Sequence, residues 1–225
     1  MWVRIDPKVK QNFPNLHILT VLIKDLRVRR WDPQLEVLKA EVIREIRSRY
    51  NVKILKDYPS VRTYRDFFWK IGIDPTKNRP AAEALIRRIL LGNPLPRINT
   101  FVDSLNLASI RSEIAIASFD AEKIIGESLT IRYAVKDEKF YGIGMRRPVL
   151  LQGGEVVVSD EEGVIAVYPH RDSERTKITE STKSTLLIFC GVPGISFDKL
   201  IRAMNIATDL ITRFCGGSLM NVKGE

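Results

Sequence analysis

Residues 79–120 read RPAAEALIRRILLGNPLPRINTFVDSLNLASIRSEIAIASFD. Pro80 suits the first position of a helix, because its missing N–H would be unpaired there anyway. Leu85, Ile86, Ile89 and Leu90 then recur at helical spacing and give that helix an inner face. Arg79 with Glu83, and Glu83 with Arg87, stand four apart, so part of the positive charge here forms a local ion-pair ladder. Gly92 ends the helix, and Asn93, Pro94 and Pro96 make a rigid connection. A second helix is expected to carry Asn99, Asp103 and Asn106 on one polar face, with Phe101, Val102, Leu105 and Leu107 turned to a core. Amides and a carboxylate on an otherwise apolar helix serve either a structural network or a ligand pocket, and the spacing leaves both open.

Downstream of this segment the pattern changes from helical to short strands. Ile114–Ala117, Leu129–Tyr133, Phe140–Ile143, Val156–Ser159, Val164–Tyr168 and Thr185–Cys190 are separated by turn residues such as Gly153-Gly154 and Glu161-Glu162-Gly163. A closing helix from Ser196 to about Phe214 has Phe197, Leu200, Ile201, Met204, Ala207 and Ile211 on its inner stripe. Upstream, Trp2–Ile5 and Leu16–Val28 read as strands. Asp32 and Pro33 open a helix with Leu35, Leu38, Val42, Ile43 and Ile46 inward and Lys39, Arg44, Arg47 and Arg49 outward. A short helix over 60–71 turns Phe67 and Phe68 inward. The class is α+β, with the strands read as a sandwich or barrel.

The 225 residues are 44% hydrophobic, enough for a substantial core, and no stretch is long and apolar enough to be a membrane helix. The opening MWVRIDPKVK has charges where a secretory signal would be apolar. Cys190 and Cys215 are far apart and read as buried thiols of a cytoplasmic protein. The net charge of +9 is distributed unevenly: residues 1–98 hold 21 Lys/Arg against 10 Asp/Glu, and residues 99–225 hold 15 against 17. A basic half joined to a near-neutral half suits a polyanion-binding arm beside a pocket-bearing unit; basic surface serving only solubility is the alternative.

The two histidines, His17 and His170, form no metal-ligand spacing with the cysteines, and neither a phosphate-binding P-loop nor a GxSxG motif occurs. Gly142 and Gly144 in YGIGMRR read as a hairpin turn. The other concentrated polar segment is PHRDSERTKITESTKST, residues 169–185. There His170 offers a base or donor near neutral pH, Arg171 an anion contact and Asp172 an orienting carboxylate. A surface Arg171–Asp172 pair, with the hydroxyls capping turns, is the competing reading.

The segments RPAAEALIRRIL, LPRINTFVDSLNLASI, the run ending in SFD, and HRDS…T…IT…T together resemble free-standing B3/B4-domain proteins, over about residues 58–192. These are similar to the editing domain of the phenylalanyl-tRNA synthetase beta subunit. The resemblance implies a three-layer fold with a β-sandwich of unusual topology and packed helices. It implies hydrolysis of the ester of a mischarged tRNA; no cofactor is expected, and the residues offer no metal constellation. Val102-Asp103 and Asn106 match the V-D-x-x-N motif of the bacterial domain, while Ala117-Ser118-Phe119-Asp120 carries alanine where that domain has the histidine of H-A-F-D.

On this resemblance residues 58–225 form the tRNA-binding or editing domain, and residues 1–57 a basic extension packed on it. Asn106, His170 and Asp172 are the expected catalytic residues, and Asn99, Asp103, Ser173 and Thr182 the expected pocket. Arg29, Arg30, Arg79, Arg87, Arg88 and Arg171 are the expected RNA contacts. The expected partners are the aminoacylated end of tRNA and an aminoacyl-tRNA synthetase. A non-catalytic RNA-binding module assisting a synthetase is the second reading, favoured by Ala117 and by the lack of a nucleophile–base pair. A small-molecule binding protein is the third.

Overall fold

The computed structural model describes residues 2–225. The strands are β1 (Trp2–Ile5), β2 (Ile18–Lys24), β3 (Ile116–Asp120), β4 (Ser128–Tyr133), β5 (Lys139–Phe140), β6 (Val149–Leu150), β7 (Val156–Ser159), β8 (Val164–Val167), β9 (Arg171–Asp172), β10 (Thr185–Cys190) and β11 (Ser218–Gly224). The helices are α1 (Pro7–Asn12), α2 (Pro33–Arg49), α3 (Pro59–Lys70), α4 (Ala81–Leu90), α5 (Thr100–Ser112) and α6 (Phe197–Cys215). The fold is α+β. One sheet runs β1-β4-β7-β8-β9, a second β11-β2-β10-β3, and β5-β6 form a separate hairpin.

The sequence reading missed α1, β6, β9 and β11. Each is short or polar, and each owes its form to a neighbour. β9 is two residues paired antiparallel to β8, and β11, largely exposed, is paired along β2. The N-terminal residues enter both sheets: β1 lies parallel to β4, and β2 lies between β11 and β10.

β10, TLLIFC, is buried at every position because β2 and β3 flank it and α6 covers its sheet. A strand covered on both faces loses the alternation of a half-exposed one, and its sequence is accordingly an apolar run. α5 and α6 make the most extensive helix–helix interface, and the main apolar core runs through both sheets. A smaller cluster of Phe140, Leu151, Val157, Val164 and Val167 sits where the hairpin packs on the first sheet.

Local signals account for the helix ends. Asp32 accepts hydrogen bonds from the N–H groups of Gln34 and Leu35 at 2.9 and 3.1 Å, capping α2, and Ser196 caps α6 by accepting from Lys199. α5 stops at Glu113, which takes the left-handed conformation with φ 59°. Its carboxylate accepts from Tyr50, Ser60 and Lys199, so one acidic side chain joins the ends of α2, α3 and α5 to the start of α6.

Candidate functional site

A cavity of about 140 Å³ opens between the two sheets, where β3 meets β9. Its wall is made of Ala115, Ile116 and Ala117 from the β3 side, Val158 and Ala166 from β7 and β8, Ala81 from the start of α4, and the segment 168–172. Small side chains at four of these positions make the space. A cavity of about 150 Å³ accommodates a benzene ring, so this one holds a small organic group or a few waters.

Three side chains of the predicted HRDS segment reach the cavity: His170, Arg171 and Asp172. Val167 leads into the turn and the His170 N–H returns to the Val167 carbonyl at 2.7 Å, across a cis Tyr168-Pro169 bond. The His170 ring stands edge-on to Phe68, with centroids 5.9 Å apart, and its Nδ1 is buried without a hydrogen-bond partner among the described residues. Burial and the charge of Arg171 lower its pKa to about 4, so the imidazole is neutral at physiological pH.

Asp172 accepts from the Ser118 N–H at 3.1 Å. Burial pushes its carboxyl up to about 7, against the opposing effect of that one hydrogen bond. Arg171 donates to the Ile143 carbonyl at 2.8 Å. Its aliphatic stem passes so close to Gly142 that a Cβ there would stand 2.5 Å from Arg171 Cδ. Glycine at 142 is therefore required by that approach rather than by any phosphate loop.

Cys190 also lines the cavity, but burial drives its thiol pKa upward, so no thiolate is available. Tyr168 and Tyr64 brace the back wall, donating to the carbonyls of Gly191 and Cys190 at 2.8 and 2.6 Å. From sequence, Tyr64 and Trp69 stay open as base-stacking candidates. Tyr64 is buried, and Trp69 is 56% exposed.

The remaining predicted site residues go elsewhere. Asn99 lies just outside α5 as its N-cap, accepting from Val102 N–H at 2.9 Å. Asp103 is buried against Lys39 Nζ and accepts from Ile98 N–H at 3.1 Å. Lys39, expected on the outer face of α2, points inward to make that pair. It reaches Glu36 and the Pro96 carbonyl as well. Asn106 is half-buried on α5 and is not part of the cavity wall. Ser173 is buried and accepts from Arg175 N–H at 3.2 Å, while Thr182 donates to Asp120 at 2.8 Å; both organise the loop behind the cavity.

The expected RNA contacts do not form one surface. Arg29 is held by Asp32 and the Phe214 carbonyl, and exposed Arg30 adjoins it, both at the start of α2. Arg79 and Arg87 line a groove beyond the far end of that helix, which at 17 residues is about 25 Å long. Exposed Arg88 turns to the Pro94 carbonyl.

Residues 63–218 match the family model for the B3/4 domain. The chain belongs to the B3/4 domain family. This B3/4 domain is 24% identical over 180 residues to the phenylalanine–tRNA ligase beta subunit of Mycoplasma genitalium, covering 80% of this chain and 21% of that protein. To the same subunit of Fusobacterium nucleatum it is 30% identical over 113 residues, which is half of this chain and 14% of the other. The chain therefore spans about a fifth or less of the length of these relatives. Its fold is similar to an N-terminal fragment of the phenylalanyl-tRNA synthetase beta subunit from Pyrococcus horikoshii, with a TM-score of 0.51 and 18% identity, over 97% of this chain and 50% of that fragment.

In this B3/4 domain Ala117, the position matching the histidine of the H-A-F-D motif, lines the same cavity as His170. The imidazole of His170 reaches it from the turn before β9. The pairing of β9 with β8 and the packing of β9 against β3 bring the two positions together.

The two perturbed groups also affect stability, with opposite signs. Folding favours neutral His170, so its contribution falls as pH drops from about 6.5 to about 4. Folding favours protonated Asp172, so its contribution falls as pH rises from about 3.8 to about 7. Between about pH 4 and 6.5 the two slopes oppose each other, each worth on the order of 3 kcal/mol across that window. Urea unfolding is expected to show a gain in stability from pH 4 to 6.5 in Asp172→Asn, relative to wild type. His170→Ala is expected to show a relative loss over the same range. Parallel curves for all three proteins would contradict the buried environment of both groups.

Proposed function

We propose that this B3/4 domain hydrolyses the ester of a mischarged aminoacyl-tRNA, with the acyl group held in the cavity bounded by Ala117, His170 and Asp172. The observation that carries the reading is a cavity of the size of a small acyl group lined by both Asp172, whose carboxyl burial pushes up to about 7, and a neutral imidazole. A general base is most effective with a pKa near the working pH, and Asp172 meets that condition. Water donates one proton to the Asp172 carboxylate as its oxygen bonds to the ester carbonyl carbon. The carbon–oxygen bond to the tRNA ribose then breaks, and the proton passes to the leaving hydroxyl. His170, neutral and with a free ring nitrogen, orients the water. Arg171, anchored to Ile143, faces the terminal phosphate.

Family membership and the synthetase relatives support a role linked to aminoacyl-tRNA synthetases, with tRNA or a synthetase as partner. The second reading is a tRNA-binding module without hydrolysis. It is favoured by alanine at 117, which leaves β3 without its imidazole.

Hydrolysis of a panel of radiolabelled aminoacyl-tRNAs, correct and mischarged, separates the two. Release of one mischarged amino acid, slowed at least about tenfold in His170→Ala, is the expected result. Binding of tRNA with no release from any member would leave the module. Failure to bind tRNA at low salt would overturn both.

A further inference from the structure

A second concave surface lies next to the cavity and is strongly basic. Val52, Lys53, Leu55, Lys56, Arg65, Thr76, Arg79, Glu83 and Arg87 line a groove of about 330 Å³. It carries five cations and one carboxylate. That carboxylate is already neutralised: Glu83 is buried and accepts from Arg65 at 2.9 and 3.2 Å, with Arg79 at 3.9 Å. The floor is thus an ion pair, and the walls carry charge that is not compensated. Among the described residues Lys53 and Lys56 are exposed, and neither they nor Arg87 form an ion pair. The groove borders α4 along Glu83 and Arg87, and one wall of the cavity lies at the start of the same helix: Ala81 lines the cavity, and Arg79, just before the helix, and Glu83 line the groove. Ala81 and Glu83 are two residues apart, about 200° around the helix, so cavity and groove flank the same first turn.

We infer that this groove holds the phosphodiester backbone of the RNA strand whose 3′ end enters the cavity, with Lys53, Lys56 and Arg87 as its principal phosphate contacts. The inference rests on the function proposed above and adds a path to it. A helix is about 10 Å across, so a strand leaving the cavity over the first turn of α4 reaches the groove within a few nucleotides. An exposed lysine pair and an arginine without a carboxylate partner suit a run of phosphates better than a single anion with fixed geometry. The other basic cluster, Arg27, Arg29 and Arg30, lies about the length of α2 away, and its arginine at 29 is already held by Asp32.

The test is binding of an unacylated tRNA transcript, followed by fluorescence anisotropy between about 50 and 200 mM salt. The triple variant Lys53→Gln/Lys56→Gln/Arg87→Gln is expected to weaken binding at least about tenfold at the low-salt end. It should also reduce the salt slope by about 2–3, close to one for each phosphate that is no longer neutralised. Arg27→Gln/Arg30→Gln, at the opposite end of α2, is expected to bind as wild type does. An unchanged slope in the triple variant overturns the groove while leaving hydrolysis in the cavity standing. Equal losses in both variants overturn it too, because charge anywhere would then suffice. Wild-type protein that binds no tRNA overturns the groove together with the reading on which it rests.

Discussion

Single-turnover hydrolysis of the susceptible aminoacyl-tRNA is expected to fall about a hundredfold or more when Asp172 is replaced by asparagine. The substitution is nearly isosteric, and the new amide oxygen accepts the Ser118 N–H that the carboxylate accepts now. What disappears is the ability to take a proton from water. The pH dependence carries the sign of that role. A base acts only when ionised, so wild-type rates should rise about tenfold per pH unit below about 7 and level off above it. His170 titrates near 4 and adds no inflection in that window. Rates measured from about pH 5 to 9, corrected for spontaneous ester hydrolysis, give the profile. In Asp172→Asn the plateau should vanish and only the hydroxide-driven rise remain. A variant that keeps both the rate and the plateau removes Asp172 from the chemistry and leaves the ribose hydroxyls of the tRNA as the source of the base.

Asp103→Ala is expected to destabilise the protein by about 3–5 kcal/mol while leaving the chemistry of correctly folded molecules unchanged. The Asp103 side chain is 1% exposed and faces Lys39, itself 7% exposed. Removing the carboxylate strands a buried ammonium and leaves the Ile98 N–H without its acceptor. Glu36 and the Pro96 carbonyl still hold Lys39, which places the loss toward the lower end of that range. The check is urea unfolding at neutral pH, read as a lower midpoint at unchanged slope. The double variant Lys39→Met/Asp103→Leu should recover most of the stability, since an apolar pair of similar volume replaces a buried ion pair at little cost. Hydrolysis normalised to folded protein should stay within about twofold of wild type. A large fall there, with stability intact, would put Asp103 in the active cavity after all.

These two residues mark the difference between what composition and spacing convey and what they do not. Asp103 stands out as a carboxylate on an otherwise apolar helix and Asp172 as one member of a concentrated polar segment, and neither pattern says whether the group serves a network or a pocket. Asp172 faces a cavity because β9 pairs with β8 and lies against β3. Asp103 faces a lysine because α2 packs on α5.

The elements with strong local signals are legible in the chain: α2 from Asp32-Pro33, α4 from Pro80 to Gly92, α6 from Ser196 to Gly216, and the apolar runs of β7, β8 and β10. So is the family, because motif order along the chain is a one-dimensional property. Caps, helical periodicity and apolar runs act over a few residues, so they can be read from the chain alone. Packing between distant segments turns Lys39 inward and divides the basic residues of the first half between the two ends of α2. It also brings the imidazole of His170 into the cavity beside Ala117. Those outcomes depend on pairings between residues tens of positions apart, and no local spacing encodes which pairs will meet.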